Sequence, residues 1–289
     1  MSLNPPSIDT LISPALKDLR ECWWDDEFTE FLTETLRPRP GNRILDVGCG
    51  PGTAEVSIGR LHLSQIRLVG IDLRVDRVIT ARAAAASHNL RAAFAAADAG
   101  RLPFASGVFD STYCVAVMQH ISDVDSAVGE CARVTRPHGR VVVVEPDNAA
   151  RYAYSSSSAG MKAFATAASF FTALADVRGD ATDASIGPKL PTLFARHGIE
   201  PDYVRLFPVS HVRIGAPESE VWAARRAVVE RALEFNLTED PTDRTSLLER
   251  GAAHLAALAA YEADARTSGP SFVEIQNTML FATVGQRIP

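Results

Sequence analysis

Arg43-Ile44-Leu45-Asp46-Val47-Gly48-Cys49-Gly50-Pro51-Gly52-Thr53 decides the fold. Its first five residues are a short β-rich run. Three glycines follow within five positions, and then Ala54, Ile58 and Leu61 recur at i, i+4 and i+7 as one helical face. This is strand, glycine turn, helix. In an open parallel sheet, such a turn lets a ligand approach the backbone beyond the strand end. It is not a dinucleotide fingerprint, because G-x-G-x-x-G/A would place Gly or Ala where Thr53 stands. No Gly-Lys-Ser/Thr follows either, which excludes a phosphate-cradling P-loop.

Downstream, the same alternation repeats. Arg67–Asp72 is a second strand, followed by an alanine-rich helix from Val75 to about Ser87. A third strand near Ala92–Ala97 ends at Asp98. Val108–Val117 is apolar in the manner of a strand buried on both faces and is the fourth. Ser122 with Asp125 resembles a capping box for a helix bearing Val124, Ala127, Val128 and Cys131, expected to halt at Pro137 and Gly139. Val141–Glu145 is the fifth strand. Five strands alternating with helices require an α/β, doubly wound parallel sheet. Upstream, residues 1–40 read as a polar start with one or two amphipathic helices, stopped by Pro38, Pro40 and Gly41.

Beyond residue 150 the alternation stops. A helix with Phe164, Ala168, Phe171 and Ala175 on one face is expected, then a short helix from Leu190 ended by Gly198. A β-rich segment spans 203–214, helices span about 217–236 and 243–266, and a last strand spans 278–284. These segments read as helical insertions around two final strands.

The 289 residues, 46% hydrophobic and 22% charged, exceed a minimal domain and argue against bulk disorder. No stretch approaches the roughly 18 consecutive apolar residues of a membrane span, and the first residues lack a basic region followed by an apolar run. A soluble, cytoplasmic protein with no membrane partner is the expectation. The net charge of -6 argues against a nucleic-acid surface, which wants clustered Lys and Arg. Cys22, Cys49, Cys114 and Cys131 are scattered without CxxC spacing, so neither disulfides nor a metal site is signalled.

Asp72 closes the second strand, where a carboxylate can accept from both hydroxyls of a ribose; its other reading is a helix N-cap. Asp98, at the end of the third strand, is placed to accept from an adenine amino group. Together, Asp46–Gly52, Asp72, Asp98 with Leu102-Pro103-Phe104, Phe109-Asp110, Gln119-His120-Ile121, Arg133–Gly139 and Glu145-Pro146 resemble the class I S-adenosylmethionine-dependent methyltransferases. The branch most similar is the one containing the ubiquinone/menaquinone-pathway enzymes and small-molecule tailoring enzymes. The resemblance covers about residues 40–147. One departure is His138, where that family usually carries a second glycine.

The resemblance implies a Rossmann-like, seven-stranded sheet whose last strand is antiparallel, and S-adenosylmethionine as cofactor. Gly48, Cys49 and Gly50 would line its methionine part, with Asp46 near the ammonium group. Asp72 and Leu73 would hold the ribose and adenine, Asp98 and Ala99 would meet the adenine, and Val117 would offer a carbonyl to the ammonium. His120 follows the fourth strand and is the candidate catalytic proton acceptor, because an imidazole titrates near operating pH; a structural or cofactor-pocket role is its alternative. Gln119, Asp147 and Tyr152 are acceptor-side wall candidates. Trp23 and Trp24, on a helix before the first strand, either cover the site or anchor the packing.

The expected organisation is an N-terminal helical segment covering the site (1–40), a cofactor-binding core (41–150), and the last two strands with insertions forming an acceptor cap (151–289). The expected activity is methyl transfer to a small apolar or aromatic metabolite in a biosynthetic or natural-product pathway. Two rivals stand beside it: a non-methylating S-adenosylmethionine-binding cyclase or interaction module, and an NAD-dependent oxidoreductase. The apolar stripes of the insertions have a second reading too, as a homo-oligomer interface.

Overall fold

The computed structural model describes residues 22–59, 66–178, 183, 185–235 and 240–289. Leu61 and residues 1–21 of the expected N-terminal segment lie outside them. The described chain runs α1 (Asp26–Leu36), β1 (Arg43–Val47), α2 (Thr53–Gly59), β2 (Arg67–Asp72), α3 (Val75–Ser87), β3 (Ala92–Ala96), β4 (Phe109–Val115), α4 (Val124–Val134) and β5 (Thr135–Ser155). It continues with α5 (Ser158–Arg178), α6 (Leu190–Arg196), β6 (Ile199–Ile214), α7 (Ser219–Phe235), α8 (Pro241–Ser268) and β7 (Val273–Arg287).

The seven strands form one sheet in the order β3-β2-β1-β4-β5-β7-β6. β1 pairs in parallel with β2, Asp46 lying opposite Gly70, and with β4 on its other side. β2 pairs in parallel with β3, and β4 with β5. β7 runs the other way. Near its end Gln286 donates to the His138 carbonyl at the start of β5, and near its start the Val273 carbonyl accepts from Ser156 N–H just past the end of β5. Strand order reverses direction between β1 and β4, which opens a crevice beyond their carboxyl ends.

Contacts divide the chain into two units. The first comprises Trp23–Ala150, Thr182–Pro208 and Thr278–Pro289. Its main core lies under α4 and α6 and joins Leu45, Val47, Ile71, Cys114, Val128, Val141, Val143, Leu190 and Phe194. A smaller cluster packs Cys49 with Val78, Ala81, Ala85 and Phe94 beneath α3. The second unit contains Arg151–Ala181 and Val209–Asn277. In it, α5, α7 and α8 bury Phe170, Leu174, Trp222, Val229, Leu258 and Tyr261.

Several sequence expectations need correction. The cap of α4 is Asp123, not Ser122: its carboxylate accepts from Ser126 N–H at 3.0 Å and from the Ser126 hydroxyl at 2.6 Å. That helix ends at Val134, before Pro137, because Thr135 already adopts extended geometry. The expected turn at 137–139 survives as a bulge inside β5, where the register jumps from Phe109↔Thr135 to Ser111↔Arg140 and His138 adopts φ +62°. Finally, β5 does not stop at Glu145, and the buried face of α5 carries Ala163, Phe170, Ala173 and Leu174, with Ala168 exposed.

Candidate functional site

The residues singled out for the cofactor side lie at or just after the ends of β1 to β4. Gly48 and Cys49 both donate to the Ile71 carbonyl, at 2.7 and 2.8 Å, which stitches the turn to the end of β2. Gly48 has φ +80°, and a Cβ there would come within 2.3 Å of Val117 Cγ2, so the turn and the segment after β4 touch where only glycine fits. At Gly50, φ is +54° and a Cβ would meet nothing within 4 Å: the backbone faces open space. Cys49 turns its thiol into the α3 cluster, where burial pushes the thiol well above the usual range, so its contribution to the crevice is backbone.

Asp72 is held by two backbone amides. Gly50 N–H donates to Oδ2 at 3.0 Å and Arg74 N–H to Oδ1 at 2.9 Å. Its carboxylate does not cap α3, whose N-cap residue is Arg74 and which has no side-chain cap bond. Beside it Leu73 is 73% exposed, an apolar side chain left in solvent at the strand end. Ala97 N–H donates to the Asp72 carbonyl, bringing Asp98 and Ala99 alongside, and Asp98 Oδ1 accepts from Gly100 N–H at 2.8 Å. The Leu102-Pro103-Phe104 segment is pinned from α4: Glu130 accepts from Leu102 N–H, and Arg133 donates to the Leu102 and Phe104 carbonyls.

After β4, Ala116 takes φ +57° and a single turn of 3-10 helix covers Met118–His120. Glu145 organises this turn, accepting from Val117 and Met118 N–H at 2.7 Å each and from Gln119 N–H at 3.4 Å. Burial pushes Glu145 up to about 7, with those amides pulling the other way. The Val117 carbonyl accepts from His120 N–H, and the His120 side chain is exposed. Asn148 donates to Gln119 at 2.7 Å, and Ser185 donates to Asp147 at 2.5 Å.

Trp23 and Trp24 stand just before α1 rather than on a helix; Trp23 is buried, and Trp24 meets Phe28 edge-on at 5.2 Å. Tyr152 belongs to the second unit and is exposed. A cavity of about 270 Å³ is lined by Phe31, Thr35, Arg37, Arg140, Tyr203 and Arg205, none of them a residue singled out in the sequence.

Residues 45–143 match the family model described as a methyltransferase domain. Over those residues the chain carries a methyltransferase domain. Among its relatives are an O-methyltransferase of Pyrenophora dematioidea, 33% identical over 138 residues, which span 43% of this chain and 51% of that protein. A demethylmenaquinone methyltransferase of Mycobacterium marinum is 36% identical over 110 residues, 38% of this chain and 44% of the relative. The chain thus spans about half the length, or less, of the curated relatives it matches. Among solved structures, the 4+2 cyclase SpnF superposes with a TM-score of 0.54 and 18% identity over 100% of this chain and 99% of its own, a likeness of fold alone.

S-adenosylmethionine is the cofactor that the resemblance implies for such a domain. The crevice suits it: the Gly50 backbone faces open space, the Asp72 carboxylate is fixed at the rim, and Leu73 presents an apolar surface beside it. Three residues of the domain went unassigned at the level of sequence. Glu145 was visible only as an acid closing a run of four valines. Glu55 and Tyr113 are both buried, and neither Glu55 carboxyl oxygen nor the Tyr113 hydroxyl meets a partner within hydrogen-bond geometry. Nothing local in the sequence marks either.

Proposed function

We propose that this chain transfers a methyl group from S-adenosylmethionine to a small, apolar or aromatic metabolite in a biosynthetic, natural-product pathway. The observation that carries the reading is the Asp72 carboxylate, immobilised by the Gly50 and Arg74 amides beside the exposed Leu73. The names of the O-methyltransferase and demethylmenaquinone methyltransferase relatives support a small-molecule acceptor.

In this reading Asp72 accepts from the ribose hydroxyls, Leu73 and Ala99 cover the adenine, and Asp98 accepts from its amino group. Gly48, Cys49 and Gly50 pass close to the methionine part through their backbone, and Asp46 with the Val117 carbonyl receives the ammonium group. The bound cofactor supplies an electrophilic methyl on a sulfonium. What the protein adds is alignment for in-line displacement and exclusion of water. His120 takes a proton from acceptors that must lose one, and Gln119, Asp147 and Tyr152 together with Trp23 and Trp24 are assigned to the acceptor side. Acceptor selection falls to the helices of the second unit. Their apolar faces also carry a homo-oligomer proposal, which a single monomer boundary in sedimentation at all micromolar concentrations would remove.

Titration calorimetry with S-adenosylhomocysteine and with NAD tests the reading. Binding of the first and not the second is expected, followed by transfer of labelled methyl across a panel of aromatic and polyketide-like acceptors. Affinity for NAD alone overturns it, and cofactor binding without turnover across a broad panel points to the non-methylating alternative.

A further inference from the structure

Beneath the glycine turn lie two carboxyl groups with no cation. Asp46 in β1 is 3% exposed and Glu55 in the first turn of α2 is 1% exposed. Asp46 lies opposite Gly70 in the β1–β2 register and opposite Tyr113 in the β1–β4 register, and Glu55 stands over that same glycine, so the two carboxyls share one place on the sheet. The other groups facing them are acids too: Asp72 at the end of β2 and the Cys49 thiol of the turn. Among the described residues no arginine, lysine or histidine forms an ion pair with either carboxyl. Glu55 Oε1 lies over Gly70, where a Cβ would stand 2.7 Å from it, so this strand position leaves room for the carboxyl and nothing larger.

Two carboxylates in contact have only acceptors to offer each other. A buried charge without a partner is expensive, and two adjacent ones more so, whereas a protonated carboxyl donates to its neighbour and removes both penalties. We propose that Asp46 and Glu55 form a neutral, hydrogen-bonded acid pair in the cofactor-free protein, and that the arriving ammonium group expels one proton from it. The O–H bond of Asp46 breaks, its electron pair stays on the carboxylate facing the ammonium, and the proton passes to solvent. Glu55 keeps its proton and donates it to Asp46, acting as a positioning residue. Buried net charge is zero before and after. This rests on the reading of Asp46 as the ammonium partner. Burial, then the charge of Glu55, holds Asp46 well above the usual carboxylate range, and burial pushes Glu55 up to about 7. The pair therefore titrates as a unit where a cation can shift it.

The test is calorimetry of S-adenosylhomocysteine binding at pH 6.5 in two buffers of different ionisation enthalpy, which counts protons. Release of about one proton is expected for the natural protein and none for Asp46→Asn. Glu55→Gln, which keeps a donor to Asp46, should retain affinity within about threefold, while Glu55→Leu should lose about tenfold. Binding with no proton released, the same count in Asp46→Asn, or equal affinities of the Gln and Leu variants overturns the proposal. Absence of any binding heat in the folded natural protein overturns the functional reading along with it, and the two failures are told apart by that heat.

Discussion

The two units of this chain each bury a glutamate, and they treat it in opposite ways. In the helical unit Glu274 is fully buried, and its carboxylate receives Arg225 through two bonds of 2.6 and 2.9 Å, Tyr261 at 2.7 Å and Gln276 at 3.1 Å. Burial raises it, and the Arg225 guanidinium more than offsets that, leaving Glu274 below the usual range. In the cofactor unit Glu55 has no cation, only Asp46, and burial pushes it up to about 7. A carboxylate whose charge is matched within the fold serves the fold. One left unmatched beneath a ligand-facing turn awaits a charge from outside. Glu145 stands between the two: three backbone N–H groups tie it to the turn after β4, and His120 lies near enough to pull its carboxyl down against the effect of burial.

The sharpest way to break this contrast is Arg225→Ala. It strands a buried charge and should cost about 3–5 kcal/mol in urea unfolding, with little effect on S-adenosylhomocysteine affinity of the folded protein. A loss below ~1 kcal/mol would show Glu274 to be no more committed to the fold than Glu55.

Stability against pH comes next. Burial holds Glu55 and Glu145 at about 7 in the folded protein, against about 4.5 for a free glutamate, so the native state keeps protons that the unfolded chain gives up first. Their contribution is fully present below about pH 4.5 and is lost as pH rises to about 7, on the order of 3 kcal/mol for each group. Unfolding measured across that window should show the decline, and Glu55→Gln should remove its share. A profile unchanged by the substitution would mean that Glu55 does not titrate there.

Asp72→Ala reverses the pattern of Arg225→Ala. It should weaken S-adenosylhomocysteine binding at least about tenfold, or ~1.5–3 kcal/mol, while changing stability less. Unchanged affinity by calorimetry would reassign Asp72 to holding the turn through Gly50 and Arg74. The smallest effect belongs to His138, which sits at φ +62° in the β5 bulge. His138→Gly should stabilise by about 0.5–1 kcal/mol in the same unfolding assay, because a side chain in the left-handed region is strained.

The cofactor half was largely legible in the sequence because its signals are local. A strand, three glycines and a helical stripe define β1, the turn and α2 within a dozen residues, and Asp72 and Asp98 end strands that alternate with helices. His138 was legible as a departure, and its backbone angle explains why glycine is the easier residue there. The extension of β5 past Glu145 was not legible. Pro146, Asp147 and Asn148 read locally as a strand end, and what extends the strand is β7, more than a hundred residues later, as when Ser156 N–H meets the Val273 carbonyl. Glu55 was opaque for a related reason. On a short helix an acid in the first turn looks solvent-facing, and only the absence of a side chain at Gly70 on the neighbouring strand gives it a buried place.

Three of the chain's crossings between the two units fall inside β5, β6 and β7, at Ala150/Arg151, Pro208/Val209 and Asn277/Thr278. No linker exists at these crossings. A deletion removing the helical unit must therefore cut three strands, exposing unpaired N–H and C=O groups along severed edges, the sort of surface on which chains aggregate. Exchange of the helical unit between relatives would have to keep those strands whole and graft the helices onto their far ends.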